Sequence, residues 1–306
     1  MTNTTTNYGT DHGTLMRRAA MASLSVAVLL IALKLGAYLA TDSVSMLASL
    51  ADSSLDFFAS IINLIAVRSA LTPPDREHRF GHGKAEPLAG LAQGAFIAGS
   101  ATFLIIESSN RLLDPREVTH ETLGLVVMGI SIFATLGLVA YQRMVVARTK
   151  SLAIGADQMH YASDLITNIG VVIALLLTSQ LGWKLADPII GIAIALFLIA
   201  SAWSVFRQSY DQLMDRELPD AERERIKTLI MAHDEVRNLH DLRTRASGVN
   251  SFIQFHIELD AEISLARAHE ISDAVEADVK AAFPMAEILI HQDPAGVEMP
   301  AALAKS

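Results

Sequence analysis

Apolar residues fall in long blocks between positions 15 and 208, with polar residues gathered between and after them. Six stretches approach the about 20 mostly apolar residues that a membrane-spanning helix needs. They are Ala19–Ala40, Ser45–Val67, Pro87–Ile106, Leu123–Tyr141, Leu152–Leu177 and Leu185–Val205. The second and fifth contain acids and a histidine, but short flanking loops and otherwise apolar residues mark them as spans. Arg17 and Arg18 precede the first span as a signal peptide's basic region would, yet the run is too long, contains Lys34 and lacks a cleavage site. Lys34 lies toward the far end of that span, where snorkelling to the interface is its expected role. Gly90 and Gly94 form a G-x-x-x-G pair in span three, which predicts close helix packing.

From about Asp211 the pattern changes. Leu218-Pro219-Asp220 predicts a helix start, running to about Ala232. Val236–Arg245 and Ser251–Leu259 read as strands, the second alternating Ile253, Phe255, Ile257 and Leu259 with Phe252, Gln254, His256 and Glu258. Turn residues Ser247–Asn250 separate them. A helix from Ser264 to about Phe283 and a strand Ile288–His291 complete an αββαβ order. The expected fold is a bundle of six transmembrane helices (residues 15–209), then a soluble α+β, metallochaperone-like domain (210–296) with helices on one face of a three-stranded sheet. Residues 1–14 and 297–306 are expected to be disordered or flexible.

Composition supports two solvents. Of 306 residues 51% are hydrophobic and only 19% charged, and mean hydropathy is +0.36. There is no cysteine, which excludes disulfides and thiolate metal sites. A net charge of −9 argues against a nucleic-acid partner. No phosphate-binding loop appears, so the chain has no nucleotide coupling of its own. Lysine and arginine are biased to one side of the spans: Arg17, Arg18, Arg68, Arg76, Arg79, Lys84, Arg143, Arg148, Lys150 and Arg207, against Arg111, Arg116 and Lys184. That bias predicts a multi-pass membrane protein with both termini in the cytoplasm.

Asp52 and Asp56 lie in span two, His160 and Asp164 in span five. Each pair is spaced i, i+4, which puts both side chains on one helix face about 5–6 Å apart at Cβ. Zinc–oxygen and zinc–nitrogen bonds are about 2.0–2.2 Å, so one ion touches both members of a pair. An Asp at the centre of a span costs about 2.5–3.5 kcal/mol, roughly 8–10 kcal/mol for three. No basic residue lies at matching depth in spans two or five, so the compensating cation comes from outside as a metal ion or as protons.

These motifs, with F-G-H-G-K-A-E after span two, D-L-R-T-R and I-H-Q-D-P in the tail, resemble the cation diffusion facilitator family over nearly the whole chain after about residue 15. The resemblance implies proton-coupled efflux of Zn²⁺ by a homodimer in the bilayer of a bacterial inner membrane. It implies a transport site of Asp52, Asp56, His160 and Asp164, with Cd²⁺, Fe²⁺ and Mn²⁺ also admissible at a carboxylate-rich site. It implies a second site of Asp75, His78 and His82, where Asp-x-x-His-x-x-x-His also reads as three ligands with an open position. It implies a two-metal, regulatory site in the tail from His240, His256, His269, His291 and Asp293, and a charge interlock of Lys84 with Asp215 near a dimer interface.

Two other classes are open to the residues. A metal sensor would use the tail but needs no acids at the centre of a span. A membrane metallo-hydrolase would need a motif such as H-E-x-x-H. The nearest match, His269-Glu270-Ile271-Ser272-Asp273, lacks the second histidine.

Overall fold

A computed structural model describes residues 4–41, 44–113, 122–181, 183 and 185–296. Arg116, Lys184 and the segment 297–306 lie outside the described residues. Six long helices come first: α1 Thr4–Thr41, α2 Val44–Ala70, α3 Ala85–Leu113, α4 Thr122–Thr149, α5 Leu152–Leu181 and α6 Ala186–Leu213. All six are long and apolar enough to cross a membrane. Helix is the form this composition requires, because lipid offers no partners for backbone N–H and C=O groups. Helix α1 begins at Thr4, so residues 4–14 are helical where disorder is expected. Extending a helix already formed adds one hydrogen bond per residue without a new nucleus, and polar residues there do not prevent it.

The helical unit covers His12–Tyr210. Within it α5 packs on α2, α3 and α4, which makes it the helix best placed to assemble a site from several neighbours. Gly90 of α3 lies directly against Ser209 of α6, and a Cβ at Gly94 would stand 3.6 Å from the Ala202 carbonyl oxygen. The G-x-x-x-G pair is therefore a packing surface between α3 and α6. At the other end of these helices Arg111 joins Glu107 on α3 (2.8 Å) to Asp187 on α6 (2.9 Å).

Buried Glu86 fixes where α5 begins. Its carboxylate accepts from Ser151 Oγ at 2.5 Å and from the Ala153 N–H at 3.2 Å. The first N–H groups of a helix have no partner within it, and a carboxylate there also complements the helix dipole. The motif F-G-H-G-K-A-E thus ends in the acid that anchors α5 to the start of α3.

The C-terminal unit, from Asp211, contains α7 Asp220–Met231, β1 Asn238–Ser247, β2 Asn250–Leu259, α8 Leu265–Ala282 and β3 Ala286–Pro294. The sheet order is β1-β2-β3. β1 and β2 form an antiparallel hairpin, whereas β3 runs parallel to β2, as a crossover through a helix requires. Ile253, Phe255, Ile257 and Leu259 point into one core with Ile226 and Ile230 of α7 and Ile271, Val275 and Val279 of α8. Each large apolar side chain buried there contributes about 1.5–3 kcal/mol relative to exposure. Ser264 caps α8 by accepting the Arg267 N–H at 3.2 Å. The period of two then commits His256 and Glu258 to the opposite face of β2.

Candidate metal centres

Three groups of ligand-type residues come together among the described residues, each with one ligand atom per residue within 4.8 Å of the others: Asp56, His160 and Asp164; Asp75, His78 and His82; and His240, His256 and Asp293. Neighbouring ligand atoms around a tetrahedral ion bound at about 2.1 Å stand about 3.4 Å apart, a spacing against which each group can be checked.

In the membrane group, His160 Nε2 lies 3.3 Å from Asp56 Oδ1 and 3.8 Å from Asp164 Oδ2. The spacing fits one shared cation. His160 Nε2 and Asp164 Oδ2 are both shielded from solvent and make no hydrogen bond; the contact with Asp56 is close but not aligned for one. Unsatisfied buried polar atoms are costly, and a bound cation or proton removes that cost. The i, i+4 spacing on α5 delivers His160 and Asp164 together, and the contact of α5 with α2 delivers Asp56. Asp52, one turn before Asp56, stands outside the close group and its side chain is accessible.

Lys34 contradicts its sequence reading. It does not snorkel outward but is 8% exposed, and Nζ donates to Ser53 Oγ at 2.6 Å and to the Ser49 carbonyl at 3.1 Å. The inner face of α2 offers it two acceptors at depth, which an apolar span face does not.

Beside His160 lies a polar network that the sequence reading missed. Asp157, fully buried, accepts from Gln93 Nε2 of α3 at 3.3 Å and from Gln142 Nε2 of α4 at 2.6 Å. Tyr161 OH shares a hydrogen bond with Ser60 Oγ (2.7 Å), which shares another with Ser23 Oγ (2.9 Å). These bonds tie α1 and α2 to α5 at the level of His160, and α5 to α3 and α4 at Asp157. The available signal was the spacing: Asp157 precedes His160 by three residues and so lies near its face.

The loop group is exposed except for His82, which is partly covered. Asp75 Oδ1 accepts the N–H groups of His78 (2.6 Å) and Glu77 (2.9 Å), the turn that aspartate favours. The His78 N–H above all holds the Asp75 carboxyl below the usual carboxylate range, with help from the second N–H and the two imidazoles. His82 Nε2 stands 3.3 Å from Asp75 Oδ2, while its Nδ1 is 3.3 Å from the Thr72 carbonyl. That backbone partner orients the ring with Nε2 toward the site, a common arrangement behind a ligating histidine. The His78 and His82 rings are 4.6 Å apart.

In the C-terminal unit, register does the assembling. His240 pairs with His256, and His256 pairs with His291, so three imidazoles stand in a row across β1, β2 and β3. Ring centroids are 5.0 Å apart for the first pair and 4.5 Å for the second. Asp293 sits across the row: Oδ2 is 2.8 Å from His256 Nδ1 and 3.2 Å from His240 Nε2, and Oδ1 is 3.3 Å from His291 Nε2. Partial burial pushes the Asp293 carboxyl up, but the His256 hydrogen bond and the three imidazoles outweigh it and hold it below the usual range. Asp241, at φ 49° in a register shift of β1, stands 3.8 Å from His256 Nε2, and Glu258 stands 3.5 Å from His240 Nδ1. Sequence reasoning missed both acids, although Asp241 opens the D-L-R-T-R motif.

His269 is not brought to this row within one chain. It is exposed on α8, 3.6 Å from Asp273; the buried side of α8 is taken by Ile271, Val275 and Val279, which leaves His269 facing outward. Asp215, at φ 54°, receives the Arg245 guanidinium at 3.3 Å.

Six apolar helices, acids and a histidine buried among them, and a small domain with a histidine row define a membrane transporter of cations. Residues 20–214 match the family described as "Cation efflux transmembrane domain" and residues 218–295 that described as "Cation efflux protein, cytoplasmic domain". The chain belongs to the cation efflux family, also called the cation diffusion facilitator family. It is 49% identical to the cation-efflux pump FieF of Shewanella oneidensis over 92% of this chain and 95% of that protein. It is 44% identical to the FieF of Klebsiella pneumoniae over 95% of this chain and 97% of that one. A solved chain of CzrB is 33% identical and covers 26% of this chain and 99% of its own, with a TM-score of 0.25. Relatives named as pumps place the chain among transporters rather than enzymes.

Proposed function

We propose that this transporter exports Zn²⁺ from the cytoplasm in exchange for protons, by alternating access to a site built from Asp52, Asp56, His160 and Asp164. The observation that carries the reading is the close approach of Asp56 Oδ1 and Asp164 Oδ2 to one imidazole nitrogen, at 3.3 and 3.8 Å, inside helices of membrane-spanning length. Metal ligation requires carboxylates without protons and a neutral imidazole, so each ion bound releases protons and protonation releases the ion. A site exposed in turn to the two sides then exchanges metal for protons, and an inward proton gradient drives metal outward. Cd²⁺, Fe²⁺ and Mn²⁺ are further substrates that a site rich in carboxylate admits.

The second part of the proposal is regulation. The C-terminal row of His240, His256 and His291 with Asp293 holds metal on the face of the sheet opposite the one that carries Ile253, Phe255 and Ile257, and His269 adds to a two-metal site at a contact with a second copy of the chain. The transporter is a homodimer in the inner membrane with both termini in the cytoplasm, and cytoplasmic metal tightens the pairing of its C-terminal domains. Asp75, His78 and His82 hold a further ion beside the start of α3. Lys84 and Asp215 form a charge interlock at the dimer interface; a charge-swapped double variant is expected to recover what each single change loses.

The test is a pH indicator sealed inside proteoliposomes containing the full-length protein. Zn²⁺ added outside is expected to change the internal pH, and Asp56→Ala to abolish the change. Zinc flux that is indifferent to every imposed pH gradient would refute proton exchange.

A further inference from the structure

His240 is the most buried imidazole of the C-terminal row, 6% exposed against 25% for His256 and 64% for His291. Its Nε2 faces Asp293 Oδ2 at 3.2 Å, while its Nδ1 is shielded from solvent and makes no hydrogen bond. A neutral imidazole carries one N–H and one lone pair, so an ion held at Nε2 leaves the hydrogen on Nδ1. That hydrogen needs an acceptor from the protein, because a buried donor left unpaired is costly. Register supplies one. His240 pairs with His256 and Asn238 with Glu258, and residues two apart on a strand share a face. The four therefore form a block on one side of the hairpin, with Glu258 diagonal to His240. A long side chain reaches a diagonal neighbour, and Glu258 Oε1 stands 3.5 Å from His240 Nδ1. The same oxygen accepts from Asn238 Nδ2 at 3.0 Å, which holds it in place. Glu258 itself stands outside the close group of ligand atoms from His240, His256 and Asp293.

We propose that Glu258 is a positioning residue for the C-terminal metal: it accepts the His240 Nδ1–H and so fixes the tautomer whose Nε2 lone pair faces the ion. The proposal rests on reading His240, His256, His291 and Asp293 as a metal site. A small turn of the ring brings 3.5 Å into the about 2.7–3.2 Å range of an N–H···O bond. The other tautomer puts its hydrogen on Nε2, where it donates to Asp293 Oδ2 and leaves no lone pair for the ion. Its Nδ1 lone pair then faces the Glu258 carboxylate, which disfavours it. Without Glu258 that tautomer takes over, and the ion must displace it. A carboxylate behind a ligating histidine commonly has this part, and its loss costs about 10–100-fold in metal affinity. His256 and His291 are more exposed and can turn their second nitrogen to water.

The experiment follows hydrogen exchange of β1, β2 and β3 in the full-length protein against chelator-buffered free Zn²⁺. The quantity read is the free Zn²⁺ that gives half of the full protection. Glu258→Met, which keeps the length and removes the acceptor, is expected to raise it about 10–100-fold while leaving metal-free exchange unchanged. Glu258→Gln loses the same charge but keeps an acceptor oxygen, and is expected to recover most of that shift. If Glu258→Met does not fold, Asn238→Ala, which releases the Glu258 carboxylate from exposed Asn238, is expected to raise the midpoint at least threefold. A glutamate that only joins β1 to β2 would speed metal-free exchange of both strands and leave the midpoint in place. An unmoved midpoint in Glu258→Met overturns the proposal, as do equal shifts in Glu258→Met and Glu258→Gln, which would make charge alone the cause. Asp293→Ala separates this proposal from the site itself. Zinc-dependent protection lost in Asp293→Ala leaves the site reading standing whatever Glu258 does, whereas full protection retained there overturns both.

Discussion

Replacing Asp293 by alanine removes the residue that joins the histidine row. Its two oxygens meet three imidazole nitrogens, at 2.8, 3.2 and 3.3 Å, so no other single change takes a ligand away from so many neighbours. A ligand that binds only the folded state stabilises it by about 2.7 kcal/mol at a hundred times its dissociation constant. For a domain of this size a change of 1 kcal/mol moves Tm by roughly 4–8 °C, so saturating Zn²⁺ is expected to raise the unfolding temperature of the C-terminal domain by about 10–20 °C. Asp293→Ala is expected to abolish most of that rise. His291→Ala is expected to leave more of it, because Asp293 still joins His240 and His256. The assay is hydrogen exchange of β1, β2 and β3 in the full-length protein over a temperature series, with Zn²⁺ and with chelator. A rise in Asp293→Ala equal to that in the unchanged protein would refute the reasoning.

Three further outcomes follow from the structure. Glu86→Ala leaves Ser151 Oγ and the Ala153 N–H without their buried acceptor and is expected to cost about 2–4 kcal/mol, read as faster exchange at the start of α5 and reduced zinc flux; unchanged exchange there would contradict the anchoring role. Ile257→Ala, at a position with no exposure, is expected to destabilise the C-terminal domain by about 2–5 kcal/mol, measured by denaturant exchange profiles. The Asp293 carboxyl lies below its unfolded value, so its contribution to stability is present above about pH 4 and is lost as pH falls through the folded value. Metal-free protein is therefore expected to lose C-terminal stability in that acid range, and Asp293→Asn to lose less over the same titration; equal losses would contradict the assignment.

The spans and the pattern of the C-terminal domain were legible because lipid and a half-buried sheet each impose a period on the sequence. The i, i+4 relation of His160 and Asp164 on α5 was legible for the same reason, since helical spacing fixes which side chains share a face, but on α2 that spacing alone does not bring Asp52 into the close group with Asp56. What was not legible depends on the neighbour rather than on the helix itself. Lys34 reads as a snorkelling residue on α1 alone, and only Ser49 and Ser53 of α2 explain why it turns inward. Asp157 needs Gln93 and Gln142 from two other helices, and Glu86 needs the first turn of α5. In the C-terminal domain the histidine count was visible, but the row exists through register, which admits His240, His256 and His291 and leaves His269 on the outer side of α8. Asp241 enters the cluster through a left-handed backbone conformation at a register shift, which hydropathy does not encode.

The central claim is that the buried group on α2 and α5 carries the ion. It is tested most directly by zinc entry into sealed proteoliposomes under an imposed pH gradient, comparing Asp56→Ala with Asp75→Ala, whose change lies in the exposed loop. The account predicts that Asp56→Ala loses gradient-driven entry while Asp75→Ala retains it. Entry at the unchanged rate in Asp56→Ala would contradict it.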